Sequence, residues 1–122
     1  MEIRVLLVDD EKELIDSMAE RLSTRGFTVH AAYDGLSAID HVEKNPVDAV
    51  VLDLQMPGID GLETLRRIKK HNSEIKVIML TGHGTLETAL EGQKEGAEEY
   101  LIKPCDLIHL SQMIKALVEG SL

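Results

Sequence analysis

The sequence predicts a doubly wound α/β domain, a parallel sheet covered by helices on both faces. Two observations carry that prediction. Five short runs of strand character alternate with five stretches of helical periodicity, and four of the runs end abruptly in polar residues. The endings are Asp9-Asp10 after Val5-Leu6-Leu7-Val8, Asp53 after Ala49-Val50-Val51-Leu52, Thr81 after Val77-Ile78-Met79-Leu80, and Lys103 after Tyr100-Leu101-Ile102. Each of these four runs reads as a strand buried on both faces, as parallel strands are. Right-handed crossovers would bring all four endings to the carboxyl edge of the sheet, where open α/β sheets build their sites.

The elements follow in order. After the first strand, Leu14, Ile15, Met18 and Leu22 recur at helical spacing, with Gly26 as a left-handed cap. A second strand covers 27–32, and Asp34 caps a helix whose inner face holds Ala38, Ile39 and Val42 before Asn45-Pro46 stops it. The central strand is 48–53. The turn-forming loop Met56-Pro57-Gly58-Ile59-Asp60-Gly61 leads into a third helix marked by Leu62, Leu65 and Ile68, and a fourth strand covers 74–80. Gly82-His83-Gly84 breaks the chain before a helix over 85–95, which carries Gly92 inside it. A strand at 98–102 and an amphipathic helix through Leu107, Leu110, Ile114, Leu117 and Val118 complete the alternation.

At 122 residues, 43% of them hydrophobic, the chain reads as one domain over 1–122. Its 13 basic and 22 acidic residues give a formal net charge of −9, which opposes a phosphate backbone and argues against direct nucleic-acid binding. The single cysteine, Cys105, has no internal disulfide partner, and no signal-peptide or membrane-length apolar stretch is present, so a cytoplasmic, reducing setting is expected with no membrane contact. Phe27, Tyr33 and Tyr100 are the only aromatic residues, too few to stack a flavin or bases.

Three carboxylates, a hydroxyl and an ammonium at one edge suit a divalent cation beside a phosphoryl group. Adjacent acids at a strand end cannot both point inward, but in the loop beyond it Asp9 and Asp10 can share a cation with Asp53 from the neighbouring strand. Like charges about 4 Å apart repel by roughly 4 kcal/mol at an effective dielectric of 20, so the cluster calls for a cation, and magnesium, with its preference for oxygen ligands, suits it best. The histidines do not have zinc-site spacing. A carboxylate so placed can act as a nucleophile and form an aspartyl phosphate, with Lys103 and Thr81 binding the phosphoryl oxygens.

Over essentially its full length the chain resembles the receiver domain of two-component response regulators. The likeness rests on Leu7-Val8-Asp9-Asp10-Glu11, the segment from Asp53-Leu54-Gln55-Met56-Pro57-Gly58 to Ile59-Asp60-Gly61, Thr81-Gly82 and Lys103-Pro104, in order and at the family's spacing. The resemblance implies a flavodoxin-like sheet of order 2-1-3-4-5. It implies Asp53 as phosphoacceptor for a sensor histidine kinase, Asp9 and Asp10 holding magnesium with help from the Gln55 backbone carbonyl, Thr81 as switch hydroxyl and Lys103 as the family's lysine. It also implies a cis bond before Pro104 and Tyr100 as the switch aromatic, whereas the residues alone read equally well with Tyr100 as half-buried packing against its strand neighbours. Loading of Asp53 would then draw Thr81 and the Gly82-His83-Gly84 loop inward, let Tyr100 turn in, and change the surface of the fourth helix, fifth strand and fifth helix, through which an output domain, a downstream protein or a second copy would be addressed. Gly92 either loosens that fourth helix or permits close packing. The stretch Leu80-Thr81-Gly82-His83-Gly84-Thr85 resembles receivers of sigma-54-dependent activators, and Cys105 stands where many relatives carry an aromatic.

Other classes fit less well. A haloacid-dehalogenase-type phosphatase needs an acid two residues after its nucleophile, where this chain has Gln55. A flavodoxin-like electron carrier needs a Ser/Thr/Gly phosphate loop after the first strand, where this chain has Asp9-Asp10-Glu11. A degenerate receiver serving only for dimerisation would not need the intact pocket. The reading is a phosphorylation-driven switch and not a turnover enzyme.

Overall fold

The computed structural model describes residues 2–56, 58–82 and 85–120. Its elements are β1 (Ile3–Val8), α1 (Lys12–Ser23), β2 (Phe27–Ala32), α2 (Gly35–Lys44), β3 (Ala49–Leu52), α3 (Gly61–His71), β4 (Lys76–Thr81), α4 (Leu86–Lys94), β5 (Glu99–Ile102) and α5 (Leu107–Glu119). The five strands form one sheet of order β2-β1-β3-β4-β5, all pairs parallel. Fold class and strand order are those expected.

The two-residue period of the strands sorts the core into two layers. Leu6, Val8, Val50, Leu52, Val77 and Met79 pack with residues of α2 and α3 on one face. Val5, Leu7, Ala49, Val51, Ile78 and Leu80 pack with α1 and α5 on the other. The runs 5–8, 49–52 and 77–80 of β1, β3 and β4 are buried on both faces, whereas β2 and β5 are edge strands with a single neighbour each. Tyr100 and Leu101 are half-buried and Ile102 is 50% exposed, which corrects the expectation that this run is buried on both faces.

Side-chain caps start four of the helices. Asp34, Asp60, Thr85 and Asp106 accept from the N–H groups of Ser37, Glu63, Thr88 and Ile108, at 2.7, 2.8, 3.1 and 2.8 Å. Gly26 has the expected left-handed backbone, at φ +94°. It does not cap α1 directly: the helix ends at Ser23, and Gly26 closes a following turn in which its N–H donates to the Ser23 carbonyl.

Gly92 is the only buried residue of α4. A Cβ there would overlap Sδ and Cε of Met79, a side chain that is itself fully buried. Close packing therefore accounts for this glycine, and the alternative of a helix loosened by design loses its support. Gly92→Ala is expected to destabilise the domain by about 1–3 kcal/mol through overpacking. Met79→Val combined with it should cost roughly 1 kcal/mol less than the sum of the single changes, as urea denaturation of the four proteins would measure. Strict additivity would contradict the packing account.

Candidate functional site

The ladder of the sheet extends one step past the strand ends and so fixes the site backbone. Asp9 N–H donates to the Ala32 carbonyl at 3.1 Å, Asp53 N–H to the Val8 carbonyl at 2.9 Å, and Lys103 N–H to the Thr81 carbonyl at 2.8 Å. Asp9, Asp53 and Thr81 are buried, whereas Asp10 and Gln55 are exposed. The residues implied by the sequence thus meet at the carboxyl edge, borne by β1, β3, β4 and the segment after β5.

Each buried carboxylate is oriented by a backbone donor two residues on. Asp9 Oδ1 accepts from Glu11 N–H at 3.0 Å, and Asp53 Oδ1 accepts from Gln55 N–H at 3.1 Å. The Lys103 ammonium bridges the acids, with Nζ at 2.5 Å from Asp9 Oδ2, 3.3 Å from Glu11 Oε1 and 3.7 Å from Asp53 Oδ2. Asp10 makes no hydrogen bond or ion pair to a described residue. The peptide bond between Lys103 and Pro104 is cis, as expected.

One oxygen each from Asp9, Asp10 and Asp53 lies within 4.8 Å of the others, the only such group of possible metal ligands among the described residues. An all-oxygen, all-carboxylate set fits a hard divalent cation such as Mg2+ and does not suit Zn2+. Electrostatics supports the fit. Burial pushes the Asp53 carboxyl above its ordinary value, and the charges of Asp9 and Asp10 push it the same way against the Gln55 N–H and Lys103. Burial works against the Lys103 charge, but the Asp9 hydrogen bond and the charges of Asp53 and Asp9 outweigh it and raise its value.

The raised Asp53 value has a signed consequence for stability. An acid whose folded-state value exceeds its unfolded one contributes stability that is fully present below the unfolded value and is lost as pH rises through the folded value. In chelator, Asp53→Asn should therefore be the more stable protein at neutral pH, and the two should converge in acid. Urea denaturation across that pH range would measure the difference. A difference independent of pH would contradict the cause given.

The family model of the response regulator receiver domain matches residues 5–115. The chain belongs to that family. Response regulator MprA of Mycobacterium sp. (strain KMS) is 36% identical over 118 residues, which are 97% of this chain and 51% of that protein. The chain thus spans about half the length of the curated relatives it matches. Among solved structures, a CheY-like response regulator receiver domain protein from Methanospirillum hungatei JF-1 superposes with TM-score 0.95 at 28% identity, covering 98% of this chain and 96% of that one. NtrX from Brucella abortus, solved in complex with ATP, gives TM-score 0.90 at 34% identity, covering 99% of this chain and 28% of that one.

Two further receiver features are Tyr100 and the loops that flank the site. Tyr100 lies in register with Met79, packs against the α2–α3 layer, and buries its hydroxyl without a partner among the described residues. This half-buried seat is the packing that the residues alone allow for Tyr100. Pro57, His83 and Gly84 lie outside the described residues. Among the described residues no helix is long and apolar enough to cross a membrane. One site contact has no counterpart in the sequence reading: Glu11 belongs to the receiver motif, but its reach to Lys103 spans 92 positions and no local pattern signals it.

Proposed function

We propose that the chain, over 1–122, is a receiver that takes a phosphoryl group onto Asp53 from the phosphohistidine of a sensor histidine kinase or from a small acyl phosphate, and works as a switch and not as a turnover enzyme. The observation that supports this most is the Asp53 carboxylate itself. One oxygen is tied by the Gln55 N–H, and the other faces an ammonium at 3.7 Å beside two further carboxylates. An Asp53 oxygen attacks phosphorus, the bond from phosphorus to the donor nitrogen or oxygen breaks, and the donor leaves with the electron pair. A magnesium ion held by Asp9, Asp10, Asp53 and the Gln55 backbone carbonyl would neutralise charge on the phosphoryl oxygens.

The chain's own groups do the rest. The Gln55 N–H fixes the rotamer of Asp53, so the attacking oxygen is preset. Lys103 and the Thr81 hydroxyl bind phosphoryl oxygens once the group is in place. Movement of Thr81 at the end of β4 is passed to α4, which buries only Gly92 and leaves Leu86 77% and Leu90 50% exposed. Ile102 of β5 and Ile108 of α5 are also exposed, and through these uncovered apolar side chains of α4, β5 and α5 an output domain, a downstream protein or a second copy would be addressed. The net charge of −9 leaves any contact with DNA to another domain, and a cytoplasmic place accords with a kinase donor.

The test is incubation with acetyl phosphate and Mg2+. The expected product carries one phosphoryl group by intact mass and loses it to hydroxylamine, as an acyl phosphate must. No uptake, or a product stable to hydroxylamine, would overturn the proposal.

A further inference from the structure

Glu11 occupies the N-cap of α1, yet its side chain makes no capping bond. The short polar residues that cap helices start the other four here, so a glutamate that leaves its own helix end unserved is a local rule broken at the site. Its carboxylate reaches Lys103 instead, with Oε1 at 3.3 Å from Nζ. An ammonium has three hydrogens to give. Asp9 takes one at 2.5 Å and Glu11 another at 3.3 Å, while Asp53 Oδ2, at 3.7 Å, lies beyond a hydrogen bond.

We propose that Glu11 is a restraining residue of the phosphoryl site: it holds the Lys103 ammonium back from Asp53 in the unphosphorylated domain, and its bond is the one Lys103 gives up to bind a phosphoryl oxygen. The inference rests on the reading of Asp53 as phosphoacceptor and names a positioning residue for that step. The two bonds of Lys103 are unequal. Asp9 is 2% exposed and its bond is short, whereas the Glu11 side chain is 62% exposed and its bond is long. The exposed, longer contact is the cheaper one to break. A contact made before loading and lost after it shifts the equilibrium toward the unloaded form, and repulsion between the Glu11 carboxylate and an incoming phosphoryl dianion acts in the same direction.

The test uses beryllofluoride, a phosphoryl mimic, titrated into the full chain with Mg2+ and followed by amide NMR. Glu11→Gln removes the charge. Glu11→Asp keeps it on a side chain one methylene shorter, which caps its own helix and falls short of Lys103. Both variants should lower the half-saturating beryllofluoride concentration about two- to fivefold, the worth of one exposed ion pair. The midpoint for Mg2+ alone should stay within roughly twofold of wild type. In metal-free protein the Lys103 Cε resonance should shift in both variants.

Unchanged or weaker beryllofluoride binding in both variants overturns the proposal. So does a Glu11→Asp protein that behaves like wild type while Glu11→Gln does not, which would assign the effect to charge at the rim and not to the hold on Lys103. A displaced Mg2+ midpoint overturns it as well, by making Glu11 a group of the cation site. If wild type and Asp53→Asn both fail to bind beryllofluoride, the phosphoacceptor reading falls and the restraint falls with it. That case is told apart because the Lys103 resonance still reports the Glu11 contact.

Discussion

Asp53→Asn should take up no phosphoryl group from acetyl phosphate and Mg2+ under conditions that load the wild-type chain once, a difference of at least about a hundredfold in rate. An amide oxygen carries no full negative charge to attack phosphorus, and the acyl phosphate product cannot form from it. The substitution is otherwise mild. Asn keeps the shape of Asp and an oxygen to accept the Gln55 N–H at 3.1 Å, and it removes a charge that Asp9 and Asp10 oppose. The variant should therefore stay folded, and intact mass together with hydroxylamine lability reads the result directly. Labelling of Asp53→Asn to the wild-type level would move the acceptor elsewhere, with Asp9, Asp10 and Glu11 the remaining carboxylates at the site. The same protein also serves the stability comparison in chelator, where it should gain. Loss of uptake with gain of stability is the pattern of a residue kept for chemistry at a cost to the fold.

What the sequence discloses, and where it stops, follows from the range of the interactions involved. Strand and helix periods are local. The apolar runs, the cap at Asp34 and the turn-forming loop that holds Asp60 were therefore readable from the sequence. The convergence of Asp9, Asp53, Thr81 and Lys103 was readable for a different reason, since parallel strands joined by right-handed crossovers send their carboxyl ends to one edge. Other features depend on contacts that no local pattern encodes. Ile102 is exposed because β5 has one neighbour, a matter of strand order and not of composition. Gly92 is required by Met79, thirteen positions earlier in the chain, and Tyr100 is seated by the layer it faces. The tie between Glu11 and Lys103 joins groups from opposite ends of the sequence, and it becomes visible only once β1 and the segment after β5 are brought to the same edge.

Asp10→Ala should abolish uptake as fully as chelation does, and of the three acids it gives the cleanest test of a cation role. Asp9 is unsuited to that test because it is buried and holds both the Glu11 N–H and Lys103, so its removal would leave an ammonium without its nearest partner. Asp53 is unsuited because it is the proposed nucleophile. Asp10 is exposed, forms no hydrogen bond or ion pair with a described residue, and raises the Asp53 value only through its charge. Its truncation therefore takes nothing from the fold and relieves repulsion, so the melting temperature in chelator should hold or rise slightly. With Mg2+ present, wild type should be stabilised by the mass action of binding, and Asp10→Ala should lose most of that increment together with phosphoryl uptake. Excess Mg2+ should restore uptake in part, because the remaining carboxylates still offer oxygen ligands. Undiminished uptake by Asp10→Ala, or by wild type in EDTA, would separate phosphorylation from the acidic cluster and leave the three carboxylates without a role.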